Sequence, residues 1–64
     1  MLNKNAEVFY VVTRDGRRTS PTNYWTIDRA HKDASRLRGI LKKWKDDDFK
    51  RVEIVKTSDP NSIY

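Results

Sequence analysis

The apolar positions of residues 28–45 recur with the period of an α-helix. Successive members are four, three, four and three residues apart, and they form one narrow stripe made up of Ala30, Ala34, Leu37, Leu41 and Trp44. This spacing predicts an amphipathic helix whose stripe faces the core. Because Trp44 lies on the stripe, we expect its side chain to be buried.

Polar residues mark both ends of this predicted helix. Thr26 or Asp28 is expected to cap the first turn, where a side-chain oxygen can accept from an unpaired backbone N–H group. Three consecutive aspartates begin at Asp46, and negative charge is unfavourable at the C-terminal end of a helix dipole. The helix is therefore expected to end by Lys45.

A strand and a tight turn are predicted before the helix. Residues 7–13 are rich in Val, Phe and Tyr, which favour strands, and Phe9 and Val11 share one face. The dipeptide Asp15-Gly16 predicts a type I′ hairpin turn, because that turn needs positive φ at both central residues.

Two further strand segments complete the pattern. The return strand of the hairpin is expected to begin near Arg17, to break at Pro21 and to resume over residues 23–27, since proline cannot donate a ladder hydrogen bond. A last strand is predicted over residues 49–57, after the helix.

These elements predict a single α+β domain with the order β-β-α-β. The three strands are expected to form an antiparallel sheet of order 2-1-3, with the helix packed on one face. Residues 1–6 are polar and expected to fray. One helix cannot cover both faces of the sheet, so the other face is expected to expose an apolar interaction face made up of Phe9, Val11 and Trp25.

Composition removes several classes of function. The chain has no cysteine, so disulfides and thiolate zinc sites are excluded, and its apolar runs are shorter than a membrane span. Its one histidine, His31, has no nucleophile at a defined spacing, and no glycine-rich phosphate loop is present. We therefore expect a cytoplasmic protein without catalytic residues, metal, cofactor, small-molecule substrate or membrane partner.

Charge points instead to an anionic partner. The formal net charge is +5, and the predicted helix alone carries seven basic and two acidic residues. Four of these cations fall within about 60° on the helical wheel and form a basic ridge of Arg29, Lys32, Arg36 and Lys43. Three more lie at the hairpin tip, Arg14, Arg17 and Arg18. We expect these seven residues to bind the phosphates of nucleic acid.

Part of the chain resembles known DNA-binding domains. Residues 10–37 contain a strand, an Asp15-Gly16 turn followed by two arginines, a second segment with aromatic residues and a helix that opens with Ala30 and Ala34. This order is similar to the amino-terminal arm-binding domains of tyrosine recombinases and to the AP2-type DNA-binding fold. Those families use the sheet to contact DNA and place three strands before the helix, whereas here the third strand is predicted after it.

The leading hypothesis is a small basic binding module that acts on nucleic acid or on a nucleic-acid-handling complex. The short, charge-dense, cysteine-free chain also resembles accessory proteins of bacteriophages, many of which inhibit a host protein. That resemblance implies an alternative, an inhibitor or adaptor that binds an acidic host protein in the host cytoplasm. A third possibility is a homodimeric structural subunit that pairs through the apolar interaction face.

Overall fold

The computed structural model describes residues 7–64 and confirms the predicted α+β fold. Three strands, β1 (Phe9–Arg14), β2 (Arg17–Arg18) and β3 (Val52–Thr57), form an antiparallel sheet of order β2-β1-β3. The helix α1 (Ile27–Lys43) packs on one face. Two short 3₁₀ helices flank β3, the first at Asp47–Arg51 and the C-terminal one at Pro60–Ser62. The predicted fraying of residues 1–6 lies outside the described residues.

The hairpin turn has the predicted geometry. Asp15 has φ of 55° and Gly16 has φ of 83°, so both central residues lie in the left-handed region that a type I′ turn requires. Arg14 pairs with Arg17 across the turn.

The return strand is shorter than predicted. Beyond β2 only Tyr24 forms a bridge, with Tyr10, so the expected strand over residues 23–27 is wrong. The reason is the early start of α1: Thr26 is the N-cap, and its hydroxyl accepts from the backbone N–H of Arg29. Ile27 is consequently the first helical residue rather than the end of a strand.

The apolar stripe of α1 forms the core as predicted, except at its last member. Ala30, Ala34 and Leu41 are buried against the sheet. Trp44 is 77% exposed, so its predicted burial is wrong. The helix ends at Lys43 and the chain turns sharply at Lys45, which has φ of 58°, so the stripe does not continue to Trp44.

The start of β3 also differs from the prediction. The aspartate run forms the first 3₁₀ helix, in which the Asp46 carboxylate caps the chain by accepting from the backbone N–H of Asp48 at 2.9 Å. Phe49 therefore lies outside the strand, although it packs against the core. At the edge of the sheet, the Val52 N–H donates to the Phe49 carbonyl and the Val52 carbonyl accepts from Arg38 Nη2 at 2.8 Å.

The second face of the sheet is partly covered, which corrects the predicted exposure of Val11. Val11 is fully buried and Thr13 is 1% exposed. The C-terminal 3₁₀ helix lies against β1, and its Pro60 is buried. Arg18 holds this segment, because its guanidinium donates to the carbonyls of Pro60 and Ile63 at 2.6 and 2.8 Å.

Candidate nucleic-acid interface

The basic ridge lies on the outer side of α1. All four of its side chains are exposed, because they occupy the helix positions opposite the buried alanines. From Arg29 to Lys43 the ridge is about 21 Å long at the rise of an α-helix. Within residues 7–64, Arg29, Lys32 and Lys43 take part in no ion pair. Their charges are therefore available to a ligand.

Arg36 differs from the other three because it has an acidic partner. Its Nε and Nη2 donate to Asp33 Oδ1 at 3.2 and 2.6 Å. The Asp33 side chain is only 12% exposed, whereas that of Arg36 is 65% exposed. The acid thus lies beneath the cation, and the guanidinium is the group presented to solvent.

A groove opens beside the first half of the ridge. Its volume is about 460 Å³, and it is lined by Tyr24, Arg29, Lys32, Asp33 and Arg36. Partial burial raises the pKa of Tyr24, and the neighbouring Asp33 carboxylate raises that pKa further. Tyr24, Asp33 and Arg36 therefore line the groove together, and Asp33 accepts from Arg36 within it.

The hairpin tip does not present three available cations. Arg14 binds Asp48 through Nε at 2.9 Å and Nη2 at 2.6 Å, and Nη2 also lies 3.3 Å from Asp46. The hydrogen bond to Asp48 raises the pKa of Arg14, and the charges of both aspartates act in the same direction. Arg51 adds a pair with the turn residue Asp15 at 3.4 Å.

The other two arginines of the tip have different environments. Arg18 is engaged by the carbonyls of the C-terminal segment and by that of Ser20 at 3.2 Å. Arg17 is exposed and makes no ion pair within the described part of the chain. Of the three predicted contacts, only Arg17 has an uncommitted side chain.

One aromatic pair, Phe9 and Trp25, lies away from the basic ridge. Phe9 and Trp25 form a tilted pair with ring centroids 4.6 Å apart, and Trp25 is 62% exposed. Phe9 lies on the face of the sheet opposite α1, since Tyr10 packs against the α1 core and strand side chains alternate. With Val11 buried, the predicted apolar interaction face is reduced to this pair.

The sequence interpretation missed two features of the surface. Trp44 adds an exposed aromatic residue at the end of α1. The carboxylate of Asp33 is the second feature, and its spacing of three residues before Arg36 is the local signal that could have identified the pair.

Residues 7–64 contain neither a candidate metal cluster nor a helix suited to span a membrane. No group of three or more His, Cys, Asp or Glu side chains in residues 7–64 is placed to hold a metal ion. No helix in that same range has the length and apolar character needed to cross a membrane. Comparison of the chain with protein-family models, with curated proteins and with solved structures gave no match.

Proposed function

We propose that this chain is a non-catalytic nucleic-acid-binding module that contacts phosphates through the basic ridge of α1. The observation that carries the proposal is a set of exposed cations along one side of one helix that take part in no ion pair within residues 7–64, namely Arg29, Lys32 and Lys43. Arg36 supplies a fourth cation on the same side. Nucleic acid is the polymer that offers regularly spaced negative charges over such a length.

The position of the aromatic residues favours backbone contacts over base contacts. The ridge itself carries no aromatic side chain, Tyr24 beside it is half-buried, and the Phe9–Trp25 pair lies on the opposite face of the sheet. Stacking on unpaired bases therefore contributes little to binding at the ridge. The expected behaviour is weak dependence on base sequence and strong dependence on salt.

The experiment is fluorescence anisotropy with labelled random duplexes at 50 and 200 mM salt. Four phosphate contacts lower the affinity about 150-fold over this range and three contacts lower it about 40-fold, from a slope of about −0.9 per contact. No binding at 50 mM salt would refute the proposal.

A matched pair of variants assigns the contacts to the ridge. Arg29→Gln with Lys32→Gln removes two ridge charges, and Lys50→Gln with Lys56→Gln removes two exposed charges from other elements. The ridge pair is expected to reduce the salt slope by about 1.8, whereas the control pair leaves it within about 0.3. Equal losses in the two proteins would attribute binding to net charge alone.

The exposed tryptophans favour a second candidate, a phage-type inhibitor or adaptor that binds an acidic host protein. Trp25 and Trp44 are 62% and 77% exposed, and tryptophan is enriched among the residues that dominate protein interfaces. Under this alternative, Trp25→Ala weakens the protein complex while oligonucleotide binding is absent from the start. The anisotropy experiment therefore separates the two functions.

A further inference from the structure

We propose that the groove beside Tyr24 binds one phosphodiester group, and that Asp33 is the positioning residue that sets the Arg36 guanidinium for it. The inference rests on the proposed function, because it locates the strongest contact within the basic ridge. It also assigns different roles to the two ends of the ridge, because Arg29, Lys32 and Arg36 line the groove and Lys43 does not.

Three cations converge on this groove because of their spacing along α1. Arg29, Lys32 and Arg36 are three and four residues apart, so they lie on successive turns of one helix side. Asp33 is the acid that lines the groove with them, and the local balance is positive by two charges. This arrangement suits an anion that offers two acceptor oxygens to several donors, and the two non-bridging oxygens of a phosphodiester, which share one negative charge, fit that description.

The Asp33 contact fixes the direction of the Arg36 donors. A guanidinium carries five N–H groups in one plane, and Asp33 accepts from Nε and Nη2 at one edge. The Nη1 donors and the second Nη2 hydrogen then point away from the acid. Two of these donors can meet two phosphate oxygens in the paired geometry typical of arginine.

Burial restricts the Asp33 side chain, which lines the groove together with Tyr24 and is only 12% exposed. The backbone of Tyr24 bridges to Tyr10 of β1 through N–O distances of 2.8 and 2.9 Å, so this wall of the groove is joined to the sheet. The burial of Asp33 limits its rotamers and, through the ion pair, those of Arg36.

The substitution Asp33→Asn gives a result whose sign distinguishes positioning from simple charge. It removes a negative charge from a phosphate-binding surface, so electrostatics alone predicts tighter binding. If Asp33 positions Arg36, oligonucleotide affinity falls about fivefold instead, because the charge-assisted pair is lost. The salt slope stays unchanged or rises, whereas the control Lys43→Gln lowers it by about 0.9.

A double-substitution cycle tests whether Asp33 acts through Arg36. In an Arg36→Gln background, Asp33→Asn is expected to leave affinity unchanged or to increase it, because no guanidinium remains to be oriented. Thermal unfolding of each variant verifies that the domain still folds. A fivefold loss that persists without Arg36 would overturn the positioning role.

A second measurement separates a phosphodiester from free phosphate. The arginine Nε–H resonances of the unsubstituted protein are followed by NMR during titration with a short duplex and, in parallel, with inorganic phosphate. The proposal expects shifts of the Arg29 and Arg36 signals at micromolar duplex and none with phosphate at the same concentration.

Each outcome of the two measurements has a distinct meaning. Duplex binding with a tighter Asp33→Asn variant would overturn the groove proposal and leave the proposed function standing. Shifts caused by inorganic phosphate without any duplex binding would overturn both the phosphodiester assignment and the proposed function. No shift with either ligand would also overturn both.

Discussion

Replacing Arg18 with alanine should detach the C-terminal segment from the sheet. The side chain donates to the carbonyls of Pro60 and Ile63 at 2.6 and 2.8 Å, across 42 and 45 residues of sequence. Together with the backbone bond from the Arg18 N–H to the Tyr64 carbonyl at 2.7 Å, these bonds hold the segment against the sheet. Arg18→Ala removes both side-chain bonds without changing any residue of the segment itself.

The magnitude follows from the two charge-assisted bonds. Each contributes about 1.5–3 kcal/mol, but the released carbonyls are hydrated once the segment detaches, so the total loss is about 2–3 kcal/mol. A domain of this length has a free energy of unfolding of about 3–10 kcal/mol. Arg18→Ala is thus expected to remove a large share of the stability.

Urea unfolding monitored by circular dichroism measures this loss, and Arg17→Ala is the matched control. Arg17 is the neighbouring strand residue, is exposed and makes no ion pair in the described region, so its substitution should cost less than about 0.5 kcal/mol. The methyl resonances of Val11 should also shift in Arg18→Ala, while those of Val12 on the helix side should remain in place. Equal stabilities of the two variants would refute the structural role of Arg18.

Three further predictions concern α1 and the groove. Gly39→Ala should raise the free energy of unfolding by about 1 kcal/mol, because a Cβ there meets open space and alanine favours the helix; a loss of oligonucleotide affinity in this variant would show that a ligand approaches the backbone at Gly39. Trp44→Ala should change the free energy of unfolding by less than about 0.5 kcal/mol, because the large side chain is exposed, and a larger loss would show that Trp44 packs against the core. Burial and the Asp33 carboxylate raise the pKa of Tyr24 above 10.0, so the folded state binds its proton more tightly than the unfolded state does. That contribution to stability is complete below the unfolded pKa and is lost as the pH rises through the folded pKa. Tyr24→Phe should therefore remove this part of the pH dependence of the free energy of unfolding, measured by urea unfolding between pH 8 and 11. Identical pH profiles for the variant and the unsubstituted protein would contradict the prediction.

Local patterns predicted the elements because their causes are local. The Asp15-Gly16 turn depends on the φ values of two residues, and the burial of Ala30 and Ala34 depends on helical spacing alone. The helical wheel also predicted correctly that the basic ridge lies on the exposed side of α1. It failed at Trp44, because a wheel assumes that the helix continues and contains no information about where Lys45 turns the chain.

The hairpin tip could not be interpreted from sequence, because its partners are distant along the chain. Arg14 meets Asp48 across 34 residues, and Arg18 meets Pro60 across 42 residues. Neither contact leaves a periodic pattern in the sequence. A cluster of arginines without a nearby acid is therefore interpreted from sequence as a binding site. Only the folded arrangement distinguishes the ion-paired Arg14 and the structural Arg18 from the uncommitted Arg17.

The contact between Arg38 and Val52 has a consequence for aggregation. β3 is an edge strand, and the even-numbered residues of β3 direct their backbone groups outward, because Asp15 N–H bonds inward to the Arg51 carbonyl. The Val52 N–H is bonded to the Phe49 carbonyl and the Val52 carbonyl is bonded to Arg38, so Val52 has neither a free donor nor a free acceptor for an incoming strand. The open edge is shortened to Ile54 and Lys56, and the charge of Lys56 opposes apolar stacking there. Growth of a continuous sheet from copy to copy is therefore disfavoured by an arginine that belongs to the helix.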